Sequence, residues 1–299
     1  MTDGNVFRPF ERATGEADPV NAMTVDVEDY FQVSAFERTV ARDEWEHWPR
    51  RVQANTDRVL ATFDRGGVKA TFFVLGWVAE RHPDLVRRIV GEGHELGSHG
   101  WAHVRVVHQE PDEFRQDVDR TKKLLEDISG VAVHGYRAAS YSIGRGNLWA
   151  LDVLRETGHR YSSSVFPIRH DLYGMPEAPR FPFHPGDDEF VEIPLTTVHV
   201  GGRRIPCAGG GWFRFFPYAF SRWAIRRVNT HDGRPVIFYF HPWEVDVGQP
   251  RPSGLPAKSR FRHYLNLERM EPRLERLLRD FRWGRVDRVF GVLPAGRTE

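Results

Sequence analysis

Apolar positions in this chain gather in short runs separated by amphipathic stretches. Residues 22–27, 68–75 (VKATFFVL), 94–98, 131–137, 160–165, 191–200 and 235–240 (PVIFYF) read as strands. Between them, 56–65 carries Val59, Leu60 and Phe63 on one helical face, and 77–91 is helical with Pro83 placed to start a second turn. A long amphipathic helix is expected over 110–129, with Phe114, Val118, Leu124, Leu125 and Ile128 inward, and a shorter one over 147–157. A helix over 270–281, with Met270, Leu274, Leu277, Leu278 and Phe281 inward, closes the chain. Stretches 167–188 and 245–259, rich in Pro and Gly, read as long surface loops. Strand–helix alternation at this spacing predicts parallel β/α units, arranged as a barrel or a doubly wound sheet. Either architecture puts chemistry on loops leaving the carboxyl ends of strands, so functional polar residues should follow the apolar runs.

Composition narrows the classes of function. A chain of 299 residues with 40% hydrophobic content can bury a core without staples, and its one cysteine, Cys207, excludes a disulfide framework and any cysteine-cluster metal site. A net charge of +1 argues against nucleic acid as partner. Residues 1–21 are polar, with no apolar leader core and no membrane span, so they read as an N-terminal extension and the chain as cytoplasmic. The fourteen histidines matter only if they are placed rather than scattered.

Four constellations sit where the architecture requires. Thr24-Val25-Asp26-Val27-Glu28-Asp29 brings three carboxylates to a strand end, where burial demands a cation or a proton. His99-Gly100-Trp101-Ala102-His103 puts two imidazoles four residues apart; on a helix they would share a face and could bind one metal ion. Chance supplies roughly 0.7 such pairs in a chain with fourteen histidines, so context must decide. No glutamate follows His99, which disfavours a helix-borne zinc protease site. Arg137 closes the run at 131–137 and can hold a carboxylate ionised, and His241 follows the run at 235–240, where imidazole suits a general acid. No nucleophile elbow surrounds Ser162-Ser163-Ser164, and the glycine-rich run at 91–97 precedes a strand rather than a helix, so a phosphate cradle is not expected. Trp101 and Trp212 stand beside polar strand ends and could form a platform for sugar rings.

Taken in order, TVDVEDYFQVSAFE at 24–37, KATFFVLGWVAERHP at 69–83, HELGSHGWAH at 94–103, GYRAASYSI at 135–143, YSSSVFP at 161–167, GGGWFRFFP at 209–217 and FYFHPWE at 238–244 resemble the polysaccharide deacetylases of the NodB-homology group, carbohydrate esterase family 4. Within that group the chain is most similar to exosortase-associated exopolysaccharide deacetylases. The resemblance implies a single distorted (β/α) barrel with fewer than eight strands over 22–299, with a C-terminal extension from about 245. It implies removal of N-acetyl groups from amino sugars of an exopolysaccharide or its precursor, a divalent metal (zinc above others), and association with exopolysaccharide biosynthesis machinery. Carried over by residue, Asp26 resembles the base, Arg137 its support, His241 the acid, and His99 and His103 the metal pair. A backbone N–H near Ser140 or Tyr141 would face the oxyanion. Val27 interrupts the family's adjacent aspartates. On an extended strand Asp26 and Glu28 point the same way, which favours Glu28 as third ligand, with Asp29 as the alternative. Where the family often carries an aspartate partner for the acid histidine, this chain has Ser162. Two other readings of the same residues are an amidohydrolase of a small formamide or ureide, and a carbohydrate-binding protein without turnover.

Overall fold

The computed structural model describes residues 7–10, 19–170 and 173–293; the remainder of the proposed N-terminal extension, and the end of the C-terminal one, lie outside the described residues. Its strands in chain order are β1 (Arg8–Pro9), β2 (Asn21–Val27), β3 (Thr71–Val74), β4 (Glu95–Ser98), β5 (Gly135–Tyr136), β6 (Tyr161–Ser162), β7 (Phe183–His184), β8 (Val191–Glu192), β9 (Thr197–Val200), β10 (Arg203–Pro206), β11 (Ile237–Phe240) and β12 (Trp283–Gly284). The α-helices are α1 (Val52–Gly66), α2 (Gly76–Arg81), α3 (Pro83–Gly91), α4 (Pro111–Ser129), α5 (Trp149–Glu156), α6 (Gly210–Phe215), α7 (Tyr218–Thr230), α8 (Ala257–Tyr264), α9 (Met270–Asp280) and α10 (Val286–Phe290).

The sheet runs β1-β7-β8-β6-β5-β4-β3-β2-β11, and β12 pairs with β2 off this path. Every pairing from β8 through to β11 is parallel, seven strands that form a distorted (β/α) barrel. Strands β5, β6 and β8 are only two residues long, so the expected runs at 131–137, 160–165 and 191–200 pair over a fraction of their length. Closure beyond β11 is made by irregular chain: the Ile237 N–H donates to Thr196 Oγ1 and the Tyr239 N–H to the Ala208 carbonyl. Arg8–Pro9, in the expected extension, joins β7 antiparallel.

Pro83 starts α3 at its first turn and cannot donate into α2, so residues 77–91 form two helices rather than one. Helix α4 opens on a capping box between Glu110 and Glu113 and stops at Gly130, whose φ of 71° suits glycine. Its inward residues Phe114, Val118 and Leu125 are fully buried, as the spacing requires. Helix α9 does not end the chain; β12 and α10 follow and return it to the sheet beside β2. Among the described residues, no helix is long and apolar enough to cross a membrane.

Candidate active site

Asp26, Glu28, His99, Arg137 and His241 all lie at the exit ends of neighbouring parallel strands, β2, β4, β5 and β11. The parallel register brings them together: Asp26 pairs with Phe73, Ser98 with Val74 and with Tyr136, and Phe240 with Val25. A cleft of about 500 Å³ opens there, lined by Asp26, Glu28, His99, His103, His241 and the aromatic rings of Tyr141, Trp212, Tyr239 and Trp243.

Arg137 is wholly buried and organises the floor. One guanidinium nitrogen donates to both Thr24 Oγ1 and Asp26 Oδ1 at 2.7 Å, and the others bind Ser163. Burial alone would raise the Asp26 carboxyl; the Arg137 guanidinium, helped by His99 and His241, outweighs it and holds Asp26 below the usual carboxylate range. The other oxygen of Asp26 accepts the Tyr141 hydroxyl at 3.2 Å and lies 3.9 Å from His241 Nε2. Asp26 is therefore ionised and fixed, the state a general base requires.

His99 and His103 do not share a helix face. They sit in a loop after β4 in which Gly100 and His103 take φ of 73° and 51°, and this brings the rings to 5.3 Å. Arg42 clamps the loop through the Ala102 and His103 carbonyls. His99 Nδ1 donates to the Arg137 carbonyl at 2.7 Å, since a carbonyl can only accept, and that leaves Nε2 with its lone pair. Burial lowers the pKa of both imidazoles, His103 well below its ordinary value, so both stay neutral. Their donor atoms and a Glu28 carboxylate oxygen all lie within 4.8 Å of one another. Glu28 Oε2 is buried and 3.0 Å from His103 Nε2, yet not aligned as a hydrogen bond and without another partner. Two neutral imidazoles and one orphaned carboxylate oxygen aimed at a common point fit a divalent cation. Burial raises the Glu28 carboxyl to about 7, and His241, against the pull of its own burial, is raised to about 9 by Glu28, Glu244 and Asp26.

The geometry separates the sequence-derived candidates. Glu28 faces the imidazoles with Asp26, as alternation along an extended strand requires. Asp29 points the other way and accepts the backbone N–H groups of Arg51 and Val52 at the start of α1, so it anchors a helix and stands outside the Glu28, His99 and His103 cluster. Trp212 lines the cleft, but Trp101 does not: its ring packs on Gly76, where a Cβ would come within 2.5 Å, and under the Arg120 guanidinium. Ser140 and Tyr141 do line the cleft, both held at left-handed φ of 52° and 51°. The Tyr141 N–H, however, donates to the Ala138 carbonyl at 3.0 Å and is not turned toward an oxyanion, while the Ser140 and Ser34 hydroxyls pair at 2.7 Å. Residues outside the expected catalytic and metal-binding sets also reach the site. The Trp243 indole N–H donates to Glu28 Oε1 at 3.3 Å, and Glu244 Oε1 lies 2.8 Å from His241 Nδ1. The spacing of Glu244 from His241 was a legible signal, because one helical turn returns residue i+3 to residue i.

Comparison with known proteins agrees with this geometry. Residues 43–162 match the family model for polysaccharide deacetylase, and residues 163–291 match one described only as a domain of unknown function, DUF3473. The chain is 38% identical over 77 residues to a peptidoglycan-N-acetylglucosamine deacetylase of Bacillus cereus, covering 26% of this chain and 28% of that one. It is 29% identical over 146 residues to a chitooligosaccharide deacetylase of Bradyrhizobium, covering 49% of this chain and 61% of that one. The matches thus span less than two thirds of these curated relatives. A solved structure from Mycobacterium smegmatis, named for the same family, shares the fold over 98% of this chain and 97% of its own, with a TM-score of 0.61 at 20% identity. Over residues 43–162, on the family model and these relatives, the chain is thus similar to polysaccharide deacetylases.

Proposed function

We propose that this chain is a metal-dependent hydrolase that removes the N-acetyl group from an amino sugar of an exopolysaccharide or its precursor. One observation carries the reading: an ionised Asp26 held by Arg137 stands beside the Glu28, His99 and His103 donor set and His241, all in one aromatic-walled cleft. The peptidoglycan and chitooligosaccharide deacetylases among its relatives support the substrate class. The open, aromatic-lined cleft suits a saccharide better than a small formamide or ureide. Zinc is the proposed ion, because imidazole and carboxylate donors suit it. When bound, it would supply Lewis-acid polarisation of the acetyl carbonyl.

The chain's own groups handle the protons. Asp26 accepts a proton from the attacking water as the new C–O bond forms at the acetyl carbon. The C–N bond then breaks, and the departing nitrogen takes a proton from His241 Nε2, which faces Asp26 and Glu28 across the cleft. Acetate and a free amino sugar leave. Acetate release from N-acetylglucosamine oligomers, peptidoglycan and acetylated exopolysaccharide, with chelator and with zinc restored, tests the reading. Activity that chelator removes and zinc restores is expected; a metal-replete protein inactive on every acetylated saccharide would overturn it.

A further inference from the structure

His241 has a tether that the deacetylase-matching half of the chain does not provide. Ser162 spends its hydroxyl on Ser164 Oγ at 2.7 Å. The tether comes instead from three residues beyond His241 itself. His241 opens a one-turn 3-10 helix, Pro242–Val245, and Glu244 Oε1 receives both the His241 backbone N–H at 3.1 Å and ring Nδ1 at 2.8 Å. The ring is thereby fixed with Nε2 directed at Asp26 and Glu28. Glu244 is fully buried, and its other oxygen accepts Arg214 Nε at 2.7 Å. Arg214, also buried, spends the rest of its guanidinium on backbone carbonyls, among them those of His263 and Leu265. The glycine run before it acquires a purpose as well. Gly210 lies one turn before Arg214 on α6, and a Cβ there would come within 2.1 Å of Glu244 Oε1. Only a glycine lets α6 approach closely enough for Arg214 to reach the carboxylate.

We propose that Glu244, clamped by Arg214, is the positioning residue for His241, and that segment 163–291 is the half of the molecule that builds the proton donor. The part of this inference that concerns catalysis rests on the deacetylase reading above. A carboxylate bonded to Nδ1 fixes the orientation of the imidazole and keeps Nε2 as the nitrogen presented to the leaving group. Breaking a buried ion pair on one side strands a charge, so loss of Glu244 alone would confuse positioning with stability. The double variant Arg214→Met/Glu244→Leu removes both charges and the Nδ1 acceptor together.

The test uses the full chain. In the folded double variant with unchanged metal content, kcat for acetate release from N-acetylglucosamine oligomers should fall about 10²-fold with KM within about threefold. Hydrolysis of 4-nitrophenyl acetate, whose phenolate departs without a proton, should fall by less than about threefold. In ¹⁵N-histidine-labelled wild-type protein, the His241 Nδ1 proton (assigned by its loss in His241→Gln) should be observed in slow exchange, and it should vanish from the double variant. Wild-type kcat in the double variant, equal losses on both substrates, or no Nδ1 proton in the wild type would overturn the proposal. An Nδ1 proton in a wild type that deacetylates no sugar would overturn the deacetylase reading and leave the tether standing. Should the double variant fail to fold, the wild-type spectrum decides: a slowly exchanging His241 Nδ1 proton supports the tether and its absence overturns it.

Discussion

Two buried glutamates at opposite ends of the barrel show what distinguishes a working carboxylate from a structural one. Glu95 begins β4, at the entry end of the sheet, and Glu28 follows β2 at the exit end. Both are buried, and burial raises both pKa values to about 7. Their partners differ. Glu95 Oε2 accepts the Thr71 hydroxyl and the Asp287 N–H, and Oε1 accepts the Tyr161 hydroxyl at 2.8 Å. Glu28 has the Trp243 N–H on one oxygen and no hydrogen bond on the other, and its carboxylate lies within 4.8 Å of the donor atoms of two imidazoles. A perturbed pKa alone would mark both as functional; hydrogen-bond satisfaction singles out Glu28.

Isosteric substitution of the two glutamates breaks or sharpens that contrast. Glu28→Gln should lose bound metal, measured by elemental analysis, and acetate release should fall about 10³-fold or more, with the urea midpoint little changed. Retained metal and activity would erase the distinction. Asp26→Asn tests the neighbouring carboxylate: kcat should fall about 10²- to 10⁴-fold while metal content stays near wild type. An undiminished kcat would remove Asp26 from the chemistry.

Glu95→Gln should leave activity within about twofold and change stability instead. Folded Glu95 keeps its proton up to about 7, whereas an unfolded glutamate releases it near 4.5. The folded state therefore binds more protons across this window, and the Glu95 contribution to stability falls as pH rises through it, by up to about 3 kcal/mol. Urea unfolding at pH 4.5 and 7.5 should show that loss in the wild type and a flatter profile in the variant. Identical pH slopes would count against it. The smallest expected effects separate the two tryptophans: Trp212→Ala should raise KM about tenfold, while Trp101→Ala should lower Tm and leave KM within about twofold.

The strand-exit positions of Asp26, His99, Arg137 and His241 were readable because apolar runs mark buried parallel strands and chemistry follows them. Alternation along β2 also favoured Glu28 over Asp29, and Glu28 is the carboxylate that stands beside the two imidazoles. What misled was local geometry. Spacing of i and i+4 suggested a helix for His99 and His103, but left-handed φ at Gly100 and His103 makes the pair in a loop. Trp101 looked like a sugar platform by its neighbours, and Gly76 and Arg120 claim its ring instead. Contacts from residues distant in the chain carry no periodic signal.

The sequence by itself determined the alternation of strands and helices, the residue types available for a cation and for proton transfer, and the strand ends on which most of them sit. These follow from local rules of burial and spacing. Only the tertiary structure decided that Asp26, Glu28, the two imidazoles and His241 meet in one cleft, which tryptophan lines it, and that Arg214 stands behind Glu244. Those choices depend on parallel register and on close packing between segments distant in the chain, 111 residues apart at Arg137 and Asp26. No window of the sequence contains them.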